Sequence, residues 1–206
     1  MTELDMPIIQ LLEDNQAVQK GHYIYTSGNH GELYIAKNKL YEKPRVAKEI
    51  GKRLASAIGE LTEGVEVIVG PAIGGIILAQ WTAYEMDVLF TNTEKNEEGV
   101  QYFRRGIETI KGRNVAIVED LVTTGKSVNE VIAATRELDA DVRIVAAMLD
   151  RSPLNKPAAD AIDADYIYLE RLPTVIYDPK NCALCEHNVP INTDLGHGKM
   201  QEQHEH

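Results

Sequence analysis

Cysteine, positive charge and long apolar runs are all scarce in this chain of 206 residues. Its two cysteines, Cys182 and Cys185, cannot form a disulfide framework, so they indicate no disulfide-stabilised secreted scaffold. The formal net charge of -11 argues against nucleic acid as the main partner, because the nucleic-acid backbone needs a concentrated basic surface. A small anionic ligand needs only a local nest of amides and a few cations, and it is compatible with this charge.

No apolar run approaches the length needed to cross a bilayer, so no membrane partner is expected. Residues 1–7 lack the basic start and apolar core of a signal peptide, and we therefore expect a cytoplasmic protein. The chain is long enough for one well-buried domain and short for two full ones. We expect a single domain over residues 1–190 and a polar tail over residues 191–206.

Strand-like and helix-like segments alternate along most of the sequence. Strands are predicted at residues 22–26, 33–36, 65–69, 88–91, 115–118, 142–148 and 166–169. Helices are predicted at residues 8–18, 46–58, 76–84, 128–138 and 156–162, and the polar stretch 92–101 is predicted to be a mobile loop. Such alternation with short turns predicts an α/β fold, in which a parallel sheet is flanked by helices.

The strongest motif follows the predicted strand 115–118, continues through Glu119 and Asp120, and ends in the turn Thr123-Thr-Gly-Lys-Ser127. Ligands of open parallel sheets bind at the carboxyl ends of the strands. A turn of this composition offers backbone amides, hydroxyls and a helix N-terminus to a phosphate monoester. The two acids would repel phosphate, so we expect them to hold ribose hydroxyls or a Mg²⁺ shell. The motif therefore predicts a sugar-phosphate site.

Two other phosphate motifs do not fit. Gly125-Lys126-Ser127 resembles the end of a P-loop, but that motif requires a glycine where Asp120 stands. The turn Gly70-Pro-Ala-Ile-Gly-Gly75 has Ala72 where the dinucleotide motif requires its second glycine. We expect this turn to be a second amide nest, suited to pyrophosphate. A plain helix cap at residues 123–127 and a plain tight turn at residues 70–75 are the alternatives.

Several segments, in consistent order from about Gly21 to Pro190, resemble the type I phosphoribosyltransferases, and the orotate phosphoribosyltransferases in particular. The segments are residues 115–127 (the phosphoribosyl-pyrophosphate signature), 21–34 (the hood), 70–78 (the pyrophosphate loop), 103–106 (the strand after the flexible catalytic loop), 148–152 (the segment whose arginine contacts orotate) and 177–185 (the C-terminus of one branch). The resemblance implies a type I phosphoribosyltransferase-like parallel sheet flanked by helices, with a small hood formed by about residues 1–42 and 165–190.

This resemblance also implies an activity. The family transfers the phosphoribosyl group from phosphoribosyl pyrophosphate (PRPP) to orotate, giving orotidine 5'-monophosphate and pyrophosphate in pyrimidine biosynthesis. It requires Mg²⁺, which is bound mainly through PRPP, and it works as a homodimer whose mobile loop reaches the neighbouring site. The implied partners are small-molecule substrates.

The resemblance assigns three sets of residues by position. The PRPP-binding set is Glu119, Asp120, Leu121, Val122, Thr123, Thr124, Gly125, Lys126, Ser127, Ala72, Gly74, Gly75 and Arg104. The orotate-binding set is Arg151, Thr123, Tyr34 and Thr26. The catalytic set is Lys95, Glu119 and Asp120.

The chain departs from the family in its predicted loop, which is acidic where better-known members carry several lysines and a histidine. Only Lys95 matches that pattern. The acceptor therefore stays open, and the alternatives are a phosphoribosyltransferase for a purine or another base, or a PRPP-binding regulator without catalysis. A gene regulator is disfavoured because the sequence shows no helix-turn-helix and its charge is acidic.

Cys182 and Cys185 have the spacing of half a zinc site, with His187 and His197 as an irregular second pair. A surface loop without metal is the preferred interpretation of this segment.

Overall fold

The structure is a computed structural model, and it describes residues 6–25 and 27–196. The helices are α1 (Ile8–Asp14), α2 (Asn38–Tyr41), α3 (Pro44–Leu61), α4 (Gly74–Met86), α5 (Ile107–Ile110), α6 (Lys126–Arg136) and α7 (Ala183–Glu186). The strands are β1 (Val18–Ile24), β2 (His30–Ile35), β3 (Val67–Gly70), β4 (Leu89–Asn92), β5 (Glu94–Lys95), β6 (Gln101–Tyr102), β7 (Asn114–Val122), β8 (Asp141–Asp150), β9 (Tyr166–Arg171) and β10 (Ile176–Tyr177). Short 3₁₀ helices occupy Ala158–Asp160 and Pro179–Asn181.

The central sheet has five strands in the order β4-β3-β7-β8-β9, and every neighbouring pair is parallel. Alternate residues of β7 face opposite sides of this sheet, as the pleat requires. Ala116 and Val118 pack with α3 and α4 in one apolar cluster, whereas Val115 and Ile117 pack with α6 in a second one. Helices therefore cover both faces, which confirms the predicted α/β fold.

A small antiparallel sheet is formed by both ends of the described chain. Its strand order is β1-β2-β10, and an isolated bridge joins His22 to Ile191. This confirms the predicted hood of N- and C-terminal segments. The boundary between a domain over residues 1–190 and a polar tail stays a prediction, and residues 197–206 of that tail lie outside the described residues.

Several predicted elements differ from the structure in type or extent. The predicted helix 8–18 ends at Asp14, because Gln16 adopts a positive φ of 54° and Val18 already begins β1. Of the predicted helix 156–162, only Ala158–Asp160 is helical, as a 3₁₀ helix that follows Pro157. The predicted loop 92–101 contains the hairpin β5–β6, whose turn is closed by the Asn96 side chain.

The strand that carries the acid pair is longer than predicted. Instead of ending at Val118, β7 continues through Glu119 and Asp120 to Val122, because its backbone remains paired with β8 along this length. The acids therefore lie on a rigid strand inside the fold. Within the described residues, no helix is both long and apolar enough to span a bilayer.

Candidate active site

The two phosphate-type loops lie at the same edge of the central sheet. The strands β3 and β7 are adjacent and parallel, so their carboxyl ends point in the same direction. The chain leaves β3 through residues 71–73 into α4, and it leaves β7 through residues 123–125 into α6. The ligand-binding edge expected for an open parallel sheet is thus built from these two turns.

The turn after β7 encloses a small cavity at the N-terminus of α6. Gly125 caps the helix with a φ of +75°, a conformation that side-chain-bearing residues rarely adopt. The cavity has a volume of about 190 Å³, and it is lined by Glu119, Leu121, Val122, Thr123, Thr124, Gly125, Lys126, Ser127 and Val128. Apart from Asp120, the structure brings the predicted residues of this segment together around one cavity, whose helix N-terminus favours an anion.

The acid pair next to this cavity is buried, and Asp120 is paired with a lysine. Asp120 is 2% exposed, and its Oδ2 lies 2.6 Å from Lys37 Nζ and 3.2 Å from the Tyr41 hydroxyl that donates to it. Burial, followed by the neighbouring charge of Asp120, raises the pKa of Glu119 well above its ordinary value. Burial therefore disfavours the charged form of Glu119, and Asp120 is paired with a lysine, so the repulsion of a phosphate ligand is reduced.

Lys37 is the site residue that the sequence did not reveal. It follows β2 in the chain and reaches the sheet edge from the hood side, where its side chain remains 38% exposed. Burial, the largest single effect, lowers the pKa of Lys37, but the charge of Asp120, the hydrogen bond to it and the charge of Glu119 together outweigh burial, so the net shift is upward and the lysine stays charged. Tyr41 was also missed, and its hydroxyl contacts both the Asp120 carboxylate and the carbonyl of Gly74, at 3.1 Å for the latter.

The glycines of the second turn allow it to approach the acid pair closely. An added Cβ at Gly74 would overlap the Asp120 carboxylate, and one at Gly75 would lie 2.7 Å from the Val118 carbonyl. Only glycine fits here without displacing these groups. The structure thus brings Ala72, Gly74 and Gly75 to the same edge as the β7 turn, as the sequence predicted.

Gln101 links the two turns and was not anticipated. Its side chain is buried, and its amide nitrogen lies 3.3 Å from the Ala72 carbonyl and 3.5 Å from Ser127 Oγ. The Thr93 hydroxyl donates to the Gln101 amide oxygen at 2.6 Å. Since Gln101 begins β6 and Thr93 precedes β5, the base of the hairpin fixes the spacing between both turns.

The predicted cations of the loop do not join this cluster. Lys95 is exposed on β5, and no described residue forms a hydrogen bond or ion pair with its side chain. The side chain of Arg104 is 60% exposed, and one of its guanidinium nitrogens lies 3.5 Å from a carboxylate oxygen of Glu94. The roles of Lys95 and Arg104 stay predictions.

A larger cleft opens between the β7 turn and the hood. Its volume is about 480 Å³, and it is lined by Ile24, Tyr25, Ser27, Asn29, Tyr34, Leu121, Thr123, Thr124, Arg151, Thr174, Ile176 and Gly196. Three of the four predicted orotate-binding residues, Arg151, Thr123 and Tyr34, therefore share one cleft. The fourth, Thr26, lies outside the described residues.

Arg151 is the charged group of this cleft. It is 6% exposed, its Nε donates to Thr174 Oγ1 at 2.7 Å, and one Nη donates to the Leu33 carbonyl at 3.2 Å. The Tyr25 ring lies 5.7 Å from the guanidinium carbon. Within residues 6–25 and 27–196, no carboxylate forms an ion pair with Arg151. A buried cation without an acidic partner favours an anionic ligand, because an unpaired buried charge is costly.

The two cysteines lie beside histidines other than those that the sequence suggested as zinc ligands. His187 does not approach Cys182 and Cys185 as a ligand, because its Nδ1 is bonded to the Ala183 carbonyl at 2.7 Å within its own helical turn. His197 lies outside the described residues. The structure instead places His22 and His30 beside the two cysteines, with the four ligand atoms within 4.8 Å of one another. Sequence reasoning missed this pair because more than half of the chain separates it from the cysteines.

The chain is similar in sequence to known proteins of one family. Residues 37–170 match the model of the phosphoribosyl transferase domain. The orotate phosphoribosyltransferase of Thermotoga maritima is 36% identical over 185 residues, covering 89% of this chain and 94% of that protein. The orotate phosphoribosyltransferase of Caldanaerobacter subterraneus is 33% identical and covers 89% of this chain and 93% of its own length.

Solved structures of several phosphoribosyltransferases share the fold. The orotate phosphoribosyltransferase from Aeropyrum pernix superposes with a TM-score of 0.67 at 20% identity, covering 80% of this chain and 93% of that one. The adenine phosphoribosyltransferase from Thermoanaerobacter pseudethanolicus gives a TM-score of 0.61 at 17% identity, covering 78% and 99%. The fold alone therefore does not distinguish the acceptor. The chain belongs to the phosphoribosyltransferase family, and the two relatives described above are orotate phosphoribosyltransferases.

Proposed function

We propose that this protein transfers the phosphoribosyl group of PRPP to orotate, giving orotidine 5'-monophosphate and pyrophosphate in cytoplasmic pyrimidine biosynthesis. The observation that carries the choice of orotate is Arg151, a buried guanidinium without a carboxylate partner among the described residues, facing a cleft beside the phosphate loop. Orotate brings a carboxylate to this cation, whereas a purine base brings none. A charge-assisted hydrogen bond between them suits this recognition.

The donor is expected to lie along the sheet edge. The turn of residues 123–127 and the N-terminus of α6 would hold the 5'-phosphate, and Glu119 and Asp120 would hold the ribose hydroxyls. The second turn, with Ala72, Gly74 and Gly75, would face the pyrophosphate. Lys37 supports this arrangement because it neutralises Asp120, which would otherwise repel an anionic donor.

Magnesium fits this site because its preferred ligands are oxygens, and Glu119 and Asp120 supply carboxylate oxygens. The Asp120 carboxylate already accepts hydrogen bonds from Lys37 and Tyr41. We therefore expect the oxygens of PRPP to provide most of the coordination shell. When bound, the ion neutralises negative charge on the pyrophosphate.

The reaction passes through a ribosyl cation as the bond to pyrophosphate breaks and the bond to the base nitrogen forms. Catalysis therefore depends on positioning and on stabilising the departing anion rather than on a strong base. The two glycine turns, spaced by Gln101, provide the positioning. The cleft wall formed by Tyr25, Tyr34 and Ile176 would limit the access of water to the cation.

Lys95 lies in the hairpin β5–β6, and Arg104 follows it closely in the chain. The Lys95 side chain is exposed and has no hydrogen-bond or ion-pair partner among the described residues of its own chain. We therefore propose that the protein acts as a homodimer, in which Lys95 approaches the pyrophosphate in the neighbouring subunit's site. Arg104, which lies at the base of this hairpin, would exchange its ion pair with Glu94 for one with the pyrophosphate.

The proposal is tested by incubating the protein with PRPP, Mg²⁺ and each of a panel of bases, while pyrophosphate release is followed. We expect release with orotate and none with adenine, hypoxanthine, guanine or uracil. Release with a purine alone would establish the alternative acceptor. Binding of PRPP by calorimetry without release on any base would support a regulator and contradict the proposed reaction.

A further inference from the structure

Four metal-ligating side chains meet in the hood. His22 lies in β1 and His30 begins β2, while Cys182 and Cys185 flank the start of α7. The ligand atoms are His22 Nε2, His30 Nδ1 and both Sγ atoms, and all of them lie within 4.8 Å of one another. His22, His30 and Cys182 are each at most 2% exposed, and Cys185 closes the cluster on the solvent side.

The spacing of these atoms is close to that of a tetrahedral zinc site. Bond lengths of about 2.3 Å to sulfur and about 2.0 Å to nitrogen place neighbouring ligand atoms about 3.3–3.8 Å apart. Cys185 Sγ lies 3.4 Å from His30 Nδ1, and His22 Nε2 lies 3.7 Å from Cys182 Sγ and 3.8 Å from Cys185 Sγ. The two nitrogens, which are 2.8 Å apart, would have to separate by roughly half an ångström, and the two remaining pairs, Cys182 Sγ with Cys185 Sγ and with His30 Nδ1, lie within 4.8 Å.

The orientation of His22 also favours a metal. Its Nδ1 lies 2.8 Å from the carbonyl of Val189, which can only accept a hydrogen bond. Nδ1 therefore carries the proton, and Nε2 directs its lone pair into the cluster. A backbone carbonyl that fixes the tautomer in this way is the usual outer partner of a metal-binding histidine.

The donor set indicates which metal is bound. Two thiolates and two imidazoles make a closed tetrahedral set with no open position for a substrate, which is typical of structural zinc. Magnesium and calcium prefer oxygen ligands and would be excluded. The C-x-x-C spacing of Cys182 and Cys185 is that of half a zinc site, and the β1–β2 hairpin supplies the other half.

We propose that His22, His30, Cys182 and Cys185 bind one structural zinc ion, which fastens the C-terminal segment to the hood. The bound ion takes up the two cysteines as thiolates, whose protons are released to solvent. The segment between His22 and His30 carries Tyr25, Ser27 and Asn29, which line the large cleft. Zinc would therefore hold one wall of the proposed orotate site, a consequence that rests on the proposed function, whereas metal binding itself does not.

The test measures metal content in the full chain, produced with zinc in the medium and purified without an immobilised-metal column. Inductively coupled plasma mass spectrometry is expected to find about one zinc per chain after dialysis against a weak chelator. Cys185→Ser and His30→Ala are expected to lose this zinc. His187→Ala is the matched control, because His187 is exposed near Cys185 but points at its own helical turn, and it is expected to retain the zinc.

A second variant covers the case in which the alanine variant fails to fold. His30→Cys replaces one ligand by another and would complete a Cys₃His set, so it is expected to bind zinc again. Substitution of Co²⁺ into the wild-type protein should give the visible absorption of a tetrahedral site with thiolate ligands. The melting temperature of the wild-type protein should fall when a strong chelator removes the metal.

The outcomes are separable from those of the orotate assay, which reports on the base and not on the metal. A wild-type chain without zinc, with its thiols free or joined as a disulfide by mass spectrometry, would overturn the site. Zinc that persists in both His30→Ala and Cys185→Ser, or that is lost in His187→Ala, would overturn the assignment of ligands.

Discussion

Replacement of Lys37 by methionine tests whether the acid pair is tolerated only because a lysine neutralises it. Lys37 Nζ lies 2.6 Å from Asp120 Oδ2, and the carboxylate is 2% exposed. In the Lys37→Met variant, Tyr41 remains as a neutral partner of Asp120 at 3.2 Å. The variant therefore presents one additional uncompensated negative charge to the anionic donor, and we expect PRPP to bind more weakly.

The magnitude follows from the exposure of the pair. A hydrogen bond to a charged group contributes about 1.5–3 kcal/mol when it is well shielded. The Lys37 side chain is 38% exposed, so solvent screening lowers the expected contribution to about 1–2 kcal/mol. This corresponds to a dissociation constant for PRPP that is about 5- to 30-fold higher.

Isothermal titration calorimetry with PRPP and Mg²⁺ measures this change, and Lys39→Met is the matched control. Lys39 lies two residues further along and pairs at 3.4 Å with the exposed Glu42, so its loss should leave the affinity unchanged. A double-mutant cycle with Asp120→Asn then separates two mechanisms. If Lys37 acts by neutralising Asp120, Lys37→Met costs nothing further in the Asp120→Asn background. An equal loss in both backgrounds, or no loss in either, would refute the reasoning.

Three further predictions concern the acid pair, the cleft and the second turn. The pKa of Glu119 is raised in the folded protein, so between pH of about 4.3, its ordinary pKa, and its raised pKa, unfolding releases a proton from this side chain. The free energy of unfolding therefore falls as the pH rises through this range. Urea unfolding of Glu119→Gln over a pH series should therefore show a flatter decline than wild type, whereas the exposed Glu108→Gln should not. In steady-state kinetics, Arg151→Met should raise KM for orotate roughly 10- to 150-fold, because a lost charge-assisted hydrogen bond costs about 1.5–3 kcal/mol. The KM for PRPP should stay nearly unchanged. Gly74→Ala should weaken PRPP binding at least about tenfold in calorimetry, because its Cβ would overlap the Asp120 carboxylate, whereas Gly59→Ala, with open space around its Cβ in α3, should not.

Each of these predictions has a distinct contradicting result. A pH profile of Glu119→Gln that parallels the wild type would show that Glu119 is ionised in the folded protein. Equal rises in KM for both substrates of Arg151→Met would indicate a collapsed cleft rather than lost recognition of the base. Unchanged PRPP affinity in Gly74→Ala would mean that the second turn can move away from Asp120.

The donor side of the site could be predicted from the sequence because its parts are local. Within residues 115–127, a strand, an acid pair, a hydroxyl-rich turn and a helix start follow one another, and the physical demands of a sugar phosphate are met by neighbours in the chain. The alternation of strands and helices then predicts that the second glycine turn emerges at the same edge. The extent of β7 was underestimated, because a charged pair ends an apolar run in the sequence but does not end the backbone ladder to β8.

The residues that complete the site are distant in the chain and carry no local signal. Lys37 contacts Asp120 although it precedes every strand of the central sheet in the chain. Nothing in its surrounding sequence distinguishes it from Lys39. Gln101 lies in a stretch without hydrophobic periodicity, where a hairpin is formed by a few backbone bonds and the Asn96 side chain. The sequence also gave no sign that His22 and His30 meet Cys182 and Cys185, because these residues are far apart in the chain.

The hood is the part of the molecule where these distant contacts converge. Arg151, at the end of β8, donates to Thr174 before β10 and to the Leu33 carbonyl in β2, so the acceptor cleft is closed by segments from both ends of the chain. The β2–β10 pairing has a register of only two residue pairs, which is a weak connection by itself. A metal held by His22, His30, Cys182 and Cys185 would brace the same junction, because His30 is the residue that pairs with Tyr177 of β10. The donor site would then depend on the rigid sheet, while the affinity for orotate would depend on how firmly the two chain ends are joined.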